Sequence, residues 1–383
     1  MRAARRANPA IRRRSGTILL LAAFLLIALL GMSAVAIDIG VIAAARAQLR
    51  TVTDAAALAG VRELASDRRV STTITDLAPE TAAAVAKAIA VGNLNVVLGN
   101  SPNLAAANVT VGYKDPSSTS PDSAVSTGGP STQFNSVQVT GTATVPALFS
   151  AAFNSAAATV SVTSTATAEV FPIKGYRSNI SLNAAILPLA MDLAAYNRMT
   201  LGIGGDSYKF TPASYNPPAT GVTSGPDGVA ESVTYPISAG TSGNFGTINF
   251  GVTNNSTKIL GNQISLGITP SQMKAEFAGG NVSVPHSFGG NTGVSAGIKD
   301  NLTAIIGQSV TTPVYDSTTG NGSNASYHVV KYASVRIVAV DLTGNPKYVV
   351  MQAALNTDPA AIPDTTTPST WASGGAVVLH LSR

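Results

Sequence analysis

Residues 15–37 contain no charged side chain and follow directly on Arg12, Arg13 and Arg14. No other feature limits the fold of this chain as strongly. As a helix, residues 17–37 would measure about 31 Å at about 1.5 Å per residue, the thickness of a bilayer's hydrocarbon core. Leu19, Leu20, Leu21, Phe24, Leu25, Leu26, Ile27, Leu29 and Leu30 give apolar surface on every side. A helix buried inside a soluble core is the weaker reading, because arginines cluster immediately before it. Those arginines stay cytoplasmic by the positive-inside tendency, so the chain beyond residue 37 is expected to be exported. Arg46 and Arg50 follow the run, but the N-terminal cluster outnumbers them.

Two other uses of such a segment compete with an anchor. Ala34-Val35-Ala36 fits the small-residue pattern of a signal-peptide cleavage site behind a basic start. The apolar run is longer than a usual signal core and no turn former directly precedes the site, so an uncleaved anchor is preferred. A prepilin-type cut after Gly16 would normally call for an acid five positions on, where Leu21 stands.

The chain carries a net charge of +5 over 383 residues. Arg2, Arg5, Arg6, Arg12, Arg13 and Arg14 all fall in the first fourteen residues, which hold no acid; without them the remainder sits at −1. The basicity is thus a short tail, and the body has no electrostatic footprint for a phosphate backbone. Nucleic acid is excluded as its partner on that ground. With no cysteine in the sequence, disulfides, thiolate catalysis and zinc–thiolate sites are excluded as well.

Past Asp38 the chain continues without a Gly-Pro break into alanine-rich sequence with helical periodicity. Ala36, Gly40 and Ala44 stand four apart, as do Ala43 and Ala47, and Ala56 and Gly60. Small residues at that spacing let a second helix approach closely, although alanine-rich sequence is also simply a strong helix former. The blocks Arg13-Arg14-Ser15-Gly16, Ala36-Ile37-Asp38-Ile39-Gly40, Ala47-Gln48-Leu49 and Asp54-Ala55-Ala56-Ala57-Leu58-Ala59-Gly60 resemble the N-terminal region of TadG-like Flp pilus-assembly proteins. The likeness covers about fifty residues, and the D-A-A-A-L-A-G block after an exported helix is its most specific part. It implies one membrane helix running into an extracytoplasmic body, and a role in the tight-adherence (Tad) apparatus. Ile42 stands where relatives often have an aromatic. Some relatives carry a von Willebrand A-type domain, but its metal motif is broken here, since Asp122-Ser123-Ala124-Val125-Ser126 lacks the middle serine. The expected helix-packing or partner face comprises Asp38, Gly40, Ala44, Ala47, Gln48, Leu49, Asp54, Ala55, Ala56, Ala57, Leu58, Ala59 and Gly60.

The body reads as α+β. Asp76, Pro79 and Glu80 suit the start of a second helix that stops near Gly92-Asn93. Residues 108–113 read as a strand, 116–132 as a polar loop, and 136–145 and 158–170 as strands of period two. A short helix is expected from Pro146 to Phe149 between them. Farther on, strands are expected at 231–236, 245–250, 327–341, 348–355 and 376–381, and helices at 270–277 and 295–306. The expected organisation is a basic cytoplasmic tail at 1–14, the membrane helix with its exported continuation at 15–66, a small and pilin-like α+β domain at 67–175, and a β-rich domain with short helices at 176–383.

Little in the body points to chemistry. Gly293-Val294-Ser295-Ala296-Gly297 fits G-x-S-x-G, and Asp341 and His380 follow in the order found in α/β-hydrolases. A nucleophile elbow needs a buried strand leading into the motif, whereas residues 288–292 read as a flexible loop, so Ser295 is better read as a helix cap. His286, His328 and His380 lie far apart without a helical ligand pair. Gly202-Ile203-Gly204-Gly205 reads as a turn, and Asn255-Ser256-Thr257, Asn301-Leu302-Thr303 and Asn321-Gly322-Ser323 match glycosylation acceptors only as Asn/Ser/Thr-rich loops do by chance. No cofactor, metal site or catalytic residue is expected. The leading expectation is a non-enzymatic component of a bacterial Tad/Flp-type pilus-assembly or secretion apparatus. It would be held in the inner membrane through residues 15–37, with Tad-apparatus or pseudopilin proteins as partners and self-association left open. The alternatives are a secreted surface or adhesin-like protein cleaved near Ala36, and an exported serine hydrolase using Ser295.

Overall fold

In the computed structural model the described residues are 15–70, 75–116, 124–147, 159–179, 181–211, 221–233, 245–253, 255–277, 280–343, 347–365 and 376–382. A single uninterrupted helix, α1 (Ser15–Leu64), dominates the N-terminal part and is about 75 Å long at about 1.5 Å per residue. It has no proline, and its alanines and leucines are strong helix formers. After a 3-10 turn at Asp67–Val70 comes α2 (Ala78–Leu94), with proline in its first turn, where a missing N–H costs nothing. Its cap position is Leu77, while the Asp76 carboxylate accepts the Ala78 N–H at 2.9 Å from just outside. Three strands follow: β1 (Val109–Gly112), β2 (Ser136–Pro146) and β3 (Thr159–Tyr176).

The later chain adds β4 (Leu189–Asp192), α3 (Leu193–Thr200), β5 (Tyr208–Phe210), β6 (Val222–Ser224), β7 (Glu231–Val233) and β8 (Phe245–Ile248). Next come α4 (Thr257–Leu266), α5 (Pro270–Glu276), β9 (Val282–Ser283), β10 (His286–Asn291), α6 (Lys299–Ala304) and β11 (Ser309–Thr319). The chain closes with β12 (Ala325–Asp341), β13 (Tyr348–Ala353), β14 (Asn356–Thr357), β15 (Ala361–Pro363) and β16 (Ala376–Ser382). The class is therefore α+β, with the long helix ahead of strand-rich, mixed sheets.

One sheet runs β1-β2-β3-β16-β14, with β15 and β9 pairing onto β3; the other runs β10-β8-β4-β11-β12-β13-β7. The upper part of β3 is where the two parts of the chain meet. Gly175 and Tyr176 pair with β9, Ile173 to Tyr176 with β15, and Thr167 to Pro172 with β16. The last strand of the chain thus lies inside the sheet begun by the first ones. α1 packs across β2, β3 and β16, with α2 alongside. The core under α1 is built from alanine, valine and leucine, whereas the core around Phe171, Phe250, Phe288, Tyr327 and Tyr332 is aromatic.

Two expectations for the later chain need correction. Residues 288–291 form the end of β10, not a flexible loop, and their glycines disguise the strand. A Cβ at Gly290 would lie 2.2 Å from the Thr247 carbonyl and 2.9 Å from the Tyr327 ring, so only glycine fits there. The segment expected to be helical over 295–306 divides into a 3-10 turn at Ala296–Ile298 and the short α6. The short helix expected from Pro146 to Phe149 runs outside the described residues from 148 onward, as do Asp122 and Ser123.

Candidate functional site

The two halves of α1 meet different surroundings. From Ile18 to Ile39 its large apolar side chains stand exposed, Leu19 at 77% and Ile39 at 61%. Only Ala34 and Asp38 are buried there. Among the described residues this is the one helix long and apolar enough to cross a membrane. So many exposed leucines and isoleucines on one helix would be costly in water, at about 1.5–3 kcal/mol for each such side chain left unburied. In lipid that cost disappears.

From Ala45 onward one face of the same helix turns inward. Ala45, Leu49, Val52, Ala56, Ala57, Val61 and Leu64 are buried, and the residues beside them are small for a reason. A Cβ on Gly60 would stand 3.0 Å from the Ala84 carbonyl and 3.1 Å from the Ala88 Cβ of α2, and 3.0 Å from Val137 of β2. A Cβ on Gly92 of α2 would come 3.3 Å from Ala56 and 2.3 Å from Leu104. Gly141 of β2 leaves room for Leu49 and Thr53 in the same way, at 3.0 Å each. The Thr53 hydroxyl shares a hydrogen bond with Ser164 of β3 at 3.1 Å, and the Gln48 side-chain carbonyl accepts the Leu98 N–H at 2.8 Å.

The residues of the expected packing face therefore separate. Leu49, Ala56, Ala57 and Gly60 pack inside the protein; Asp54, Ala55, Leu58 and Ala59 are half-buried; Gly40, Ala44, Ala47 and Gln48 stand exposed; Asp38 is buried. Gly40 would meet no atom within 4 Å if it carried a Cβ.

Above α1 lies a polar junction between distant parts of the chain. Asp67 accepts from the Arg336 guanidinium at 2.8 Å with one oxygen and from the Leu355 N–H at 2.7 Å with the other. Arg336 also donates to the Gly307 carbonyl at 3.2 Å and lies 3.5 Å over the Phe210 ring. Glu80 accepts Arg68 through both oxygens, at 3.0 and 2.9 Å, and the Ser66 hydroxyl at 3.1 Å. Burial lowers the neighbouring Arg69 to about 10, with Glu80 acting against that shift. A second buried group ties the chain after β1 to two strands: Lys114 donates to Glu169 of β3 and to the Ser382 hydroxyl of β16, both at 2.8 Å. These partners are too distant in sequence for spacing to reveal them.

The residues considered for chemistry do not converge. The Ser295 hydroxyl accepts the Gly297 N–H at 3.3 Å as a cap and shares a hydrogen bond with Thr257 at 3.0 Å. Asp341 accepts from Lys299 at 3.2 Å, and His380 sits in β16 opposite Glu169 with its ring centre 6.2 Å from that of Phe171. His328 pairs with Asp316 on the exposed β11–β12 ladder at 2.7 Å, and His286 packs on Phe288. No group of three or more His, Asp or Glu that could hold a metal occurs among the described residues. Burial raises the carboxyls of Asp358 and Glu276, but both are occupied with backbone N–H groups: Ala185 and Ala360 for Asp358, Gly251 for Glu276. A cleft of about 340 Å³ beside α3 is lined by Asp192, Arg198, Ile203, Glu231 and Val233. Asp192 there caps α3, and Glu231 accepts the Ser207 and Tyr208 N–H groups. Gly204 lies against that strand, where a Cβ would come 2.3 Å from the Glu231 carbonyl.

Residues 16–63 match a family model described as "Putative Flp pilus-assembly TadE/G-like". No curated protein and no solved structure matches the chain. The matched stretch is nearly the whole of α1, from its exposed apolar half to the face packed on α2 and β2. The long helix of this protein is thus similar, over residues 16–63, to the family described as TadE/G-like Flp pilus-assembly.

Proposed function

We propose that the protein is a non-enzymatic, single-pass component of the bacterial inner membrane that serves a Tad/Flp-type pilus-assembly or secretion apparatus. Its N-terminus is cytoplasmic and its α+β body extracytoplasmic. The observation that carries this reading is the coincidence of the family match with one continuous helix whose first half suits lipid and whose second half is the spine of the body. In this reading α1 transmits position: whatever holds the span in the membrane also holds β2, β3 and β16, because they pack on the same rod. Six arginines before the span set the orientation. The body works by binding other envelope proteins, Tad-apparatus or pseudopilin partners among them. The exposed side of α1 between Gly40 and Gln48 is the part of the expected partner face left open for them.

Carbonate extraction of membranes, combined with protease access on intact spheroplasts, tests the arrangement. The full-length chain should stay in the membrane pellet, and its body should be degraded only when protease reaches the outer side. A soluble protein beginning near Ile37 would overturn the anchor and favour secretion. Crosslinking from single cysteines at Gly40 or Ala44 in the cysteine-free chain should capture pseudopilin-like or assembly proteins.

A further inference from the structure

Charge is distributed unevenly along the height of the body. Residues 39–53 of α1 hold two charged side chains, Arg46 and Arg50, both exposed. Residues 93–113, which include the end of α2 and the turn after it, hold none, and neither do residues 136–168, which include β2 and the lower half of β3. The nearest acids on α1 are Asp38, which is buried, and Asp54, which lies one turn above Arg50. The polar junction with Asp67, Glu80, Glu169 and Arg336 belongs to the far end.

The packing shows that the described parts of these uncharged segments run along α1 toward the span. α2 runs down α1, with Ala84 and Ala88 at Gly60, Gly92 at Ala56, and Leu98 bonded to Gln48. β2 runs the same way, with Val137 at Gly60 and Gly141 beside Leu49 and Thr53. Leu49 is about 15 Å along the helix from Ile39, the last exposed large apolar residue of the span. The five steps from Gly141 to Pro146 descend about 17 Å, so the β2–β3 ladder returns to about the level of Ile39. Arg46 is about 10 Å above that level, and side chains on a helix incline toward its N-terminus, here toward the membrane. The headgroup layer is about 5–7 Å deep on each side of the hydrocarbon, which the Arg46 side chain reaches.

We propose that the membrane-proximal end of the exported body rests on anionic phospholipid headgroups, with Arg46 as the phosphate contact and Arg50, one turn farther up the helix, adding positive charge behind it. The one acid of α1 at this level, Asp38, is buried, so these segments present no exposed carboxylate to an anionic surface. Farther down the hairpin, Thr142 opposite Thr163 and Thr144 opposite Ser161 add exposed, uncharged hydroxyls toward the same end. This inference rests on the membrane-anchored reading above.

The full-length chain in nanodiscs of phosphatidylcholine mixed with phosphatidylglycerol tests it, with retained lipid read by native mass spectrometry. The wild type should retain phosphatidylglycerol selectively. Arg46→Gln should reduce that retention about fivefold, Arg50→Gln by less, and the pair by more than either alone, up to about thirtyfold. Arg46→Lys/Arg50→Lys should keep most of the selectivity, and Arg62→Gln, at the far end of α1, should leave it unchanged. Retention by the double glutamine variant equal to wild type, or no preference over phosphatidylcholine, would overturn the proposal. Carbonate extraction of the same variants separates the two failures. A wild type that leaves the membrane sinks the anchored reading and this inference with it. A wild type that stays but shows no lipid preference sinks this inference alone.

Discussion

The lower and upper halves of α1 are both apolar, both helical and continuous with each other, yet they meet opposite conditions. Below Ile39 the helix is apolar all round and its large side chains stand exposed. Above Ala45 its apolar residues gather on one face and shrink toward alanine and glycine, because α2 and β2 lie within contact distance. A helix can therefore change surroundings along its length without a break in its backbone. What changes is the angular spread and the size of its side chains. The body is held to the span by helix stiffness, with no linker between them.

The contrast is tested most severely at matched leucines. Leu49→Ala removes a fully buried side chain between α1 and β2, and should lower the stability of the body by about 2–5 kcal/mol. Leu26→Ala, on the exposed half, should leave the thermal melt of the detergent-solubilised protein unchanged. Equal losses at the two sites would mean that the lower half is packed within the protein.

A charge sharpens the comparison from the other side. Leu25→Arg places a guanidinium within the span and should disfavour insertion by about 2.5–3.5 kcal/mol. The share of protein resisting carbonate extraction should fall accordingly. Ala47→Arg, exposed above the membrane level, should insert normally. Loss of the Ala47→Arg variant from the pellet would place the bilayer boundary higher than Ile39.

Glycine makes the third test. Gly60→Leu must displace the Ala84 carbonyl or Val137, and overpacking of this kind costs about 1–3 kcal/mol. Gly40→Leu meets open space and should leave the stability of the isolated protein within about 0.5 kcal/mol. Any larger effect of Gly40→Leu should appear only in assembly, as lost crosslinking to partners.

The half of the argument that concerns the helix was legible in the sequence, because local periodicity carries it. The exposed leucines, the small residues four apart and the strands at 136–145 and 158–170 all depend on neighbours within a few positions. Spacing could not say which small residues met a partner inside the protein. Ala56 and Gly60 meet α2, while Gly40 and Ala44 of the same pattern stay exposed. Ser309–Thr319 was missed because Pro313 and many hydroxyls hide a strand paired with both β4 and β12. The insertion of β16 beside β3 was equally hidden, since it joins segments more than two hundred residues apart.

The junction at Asp67 is where the helix's upper half is tied to the late chain, and it should produce the smallest effect of the four. Asp67→Asn keeps an oxygen to accept the Leu355 N–H but removes the negative partner of Arg336. Asp67 is about one-third exposed, so water screens part of that attraction and the loss should be about 1 kcal/mol. Arg336 keeps the Gly307 carbonyl and the Phe210 ring, which limits the damage further. Hydrogen exchange separates a local effect from a global one. Protection should drop at Leu355 and along β13 while α1 above Ala45 stays as protected as before. A parallel loss of protection in α1 would mean that the late chain stabilises the upper helix directly, and that the spine depends on the body as much as the body depends on it.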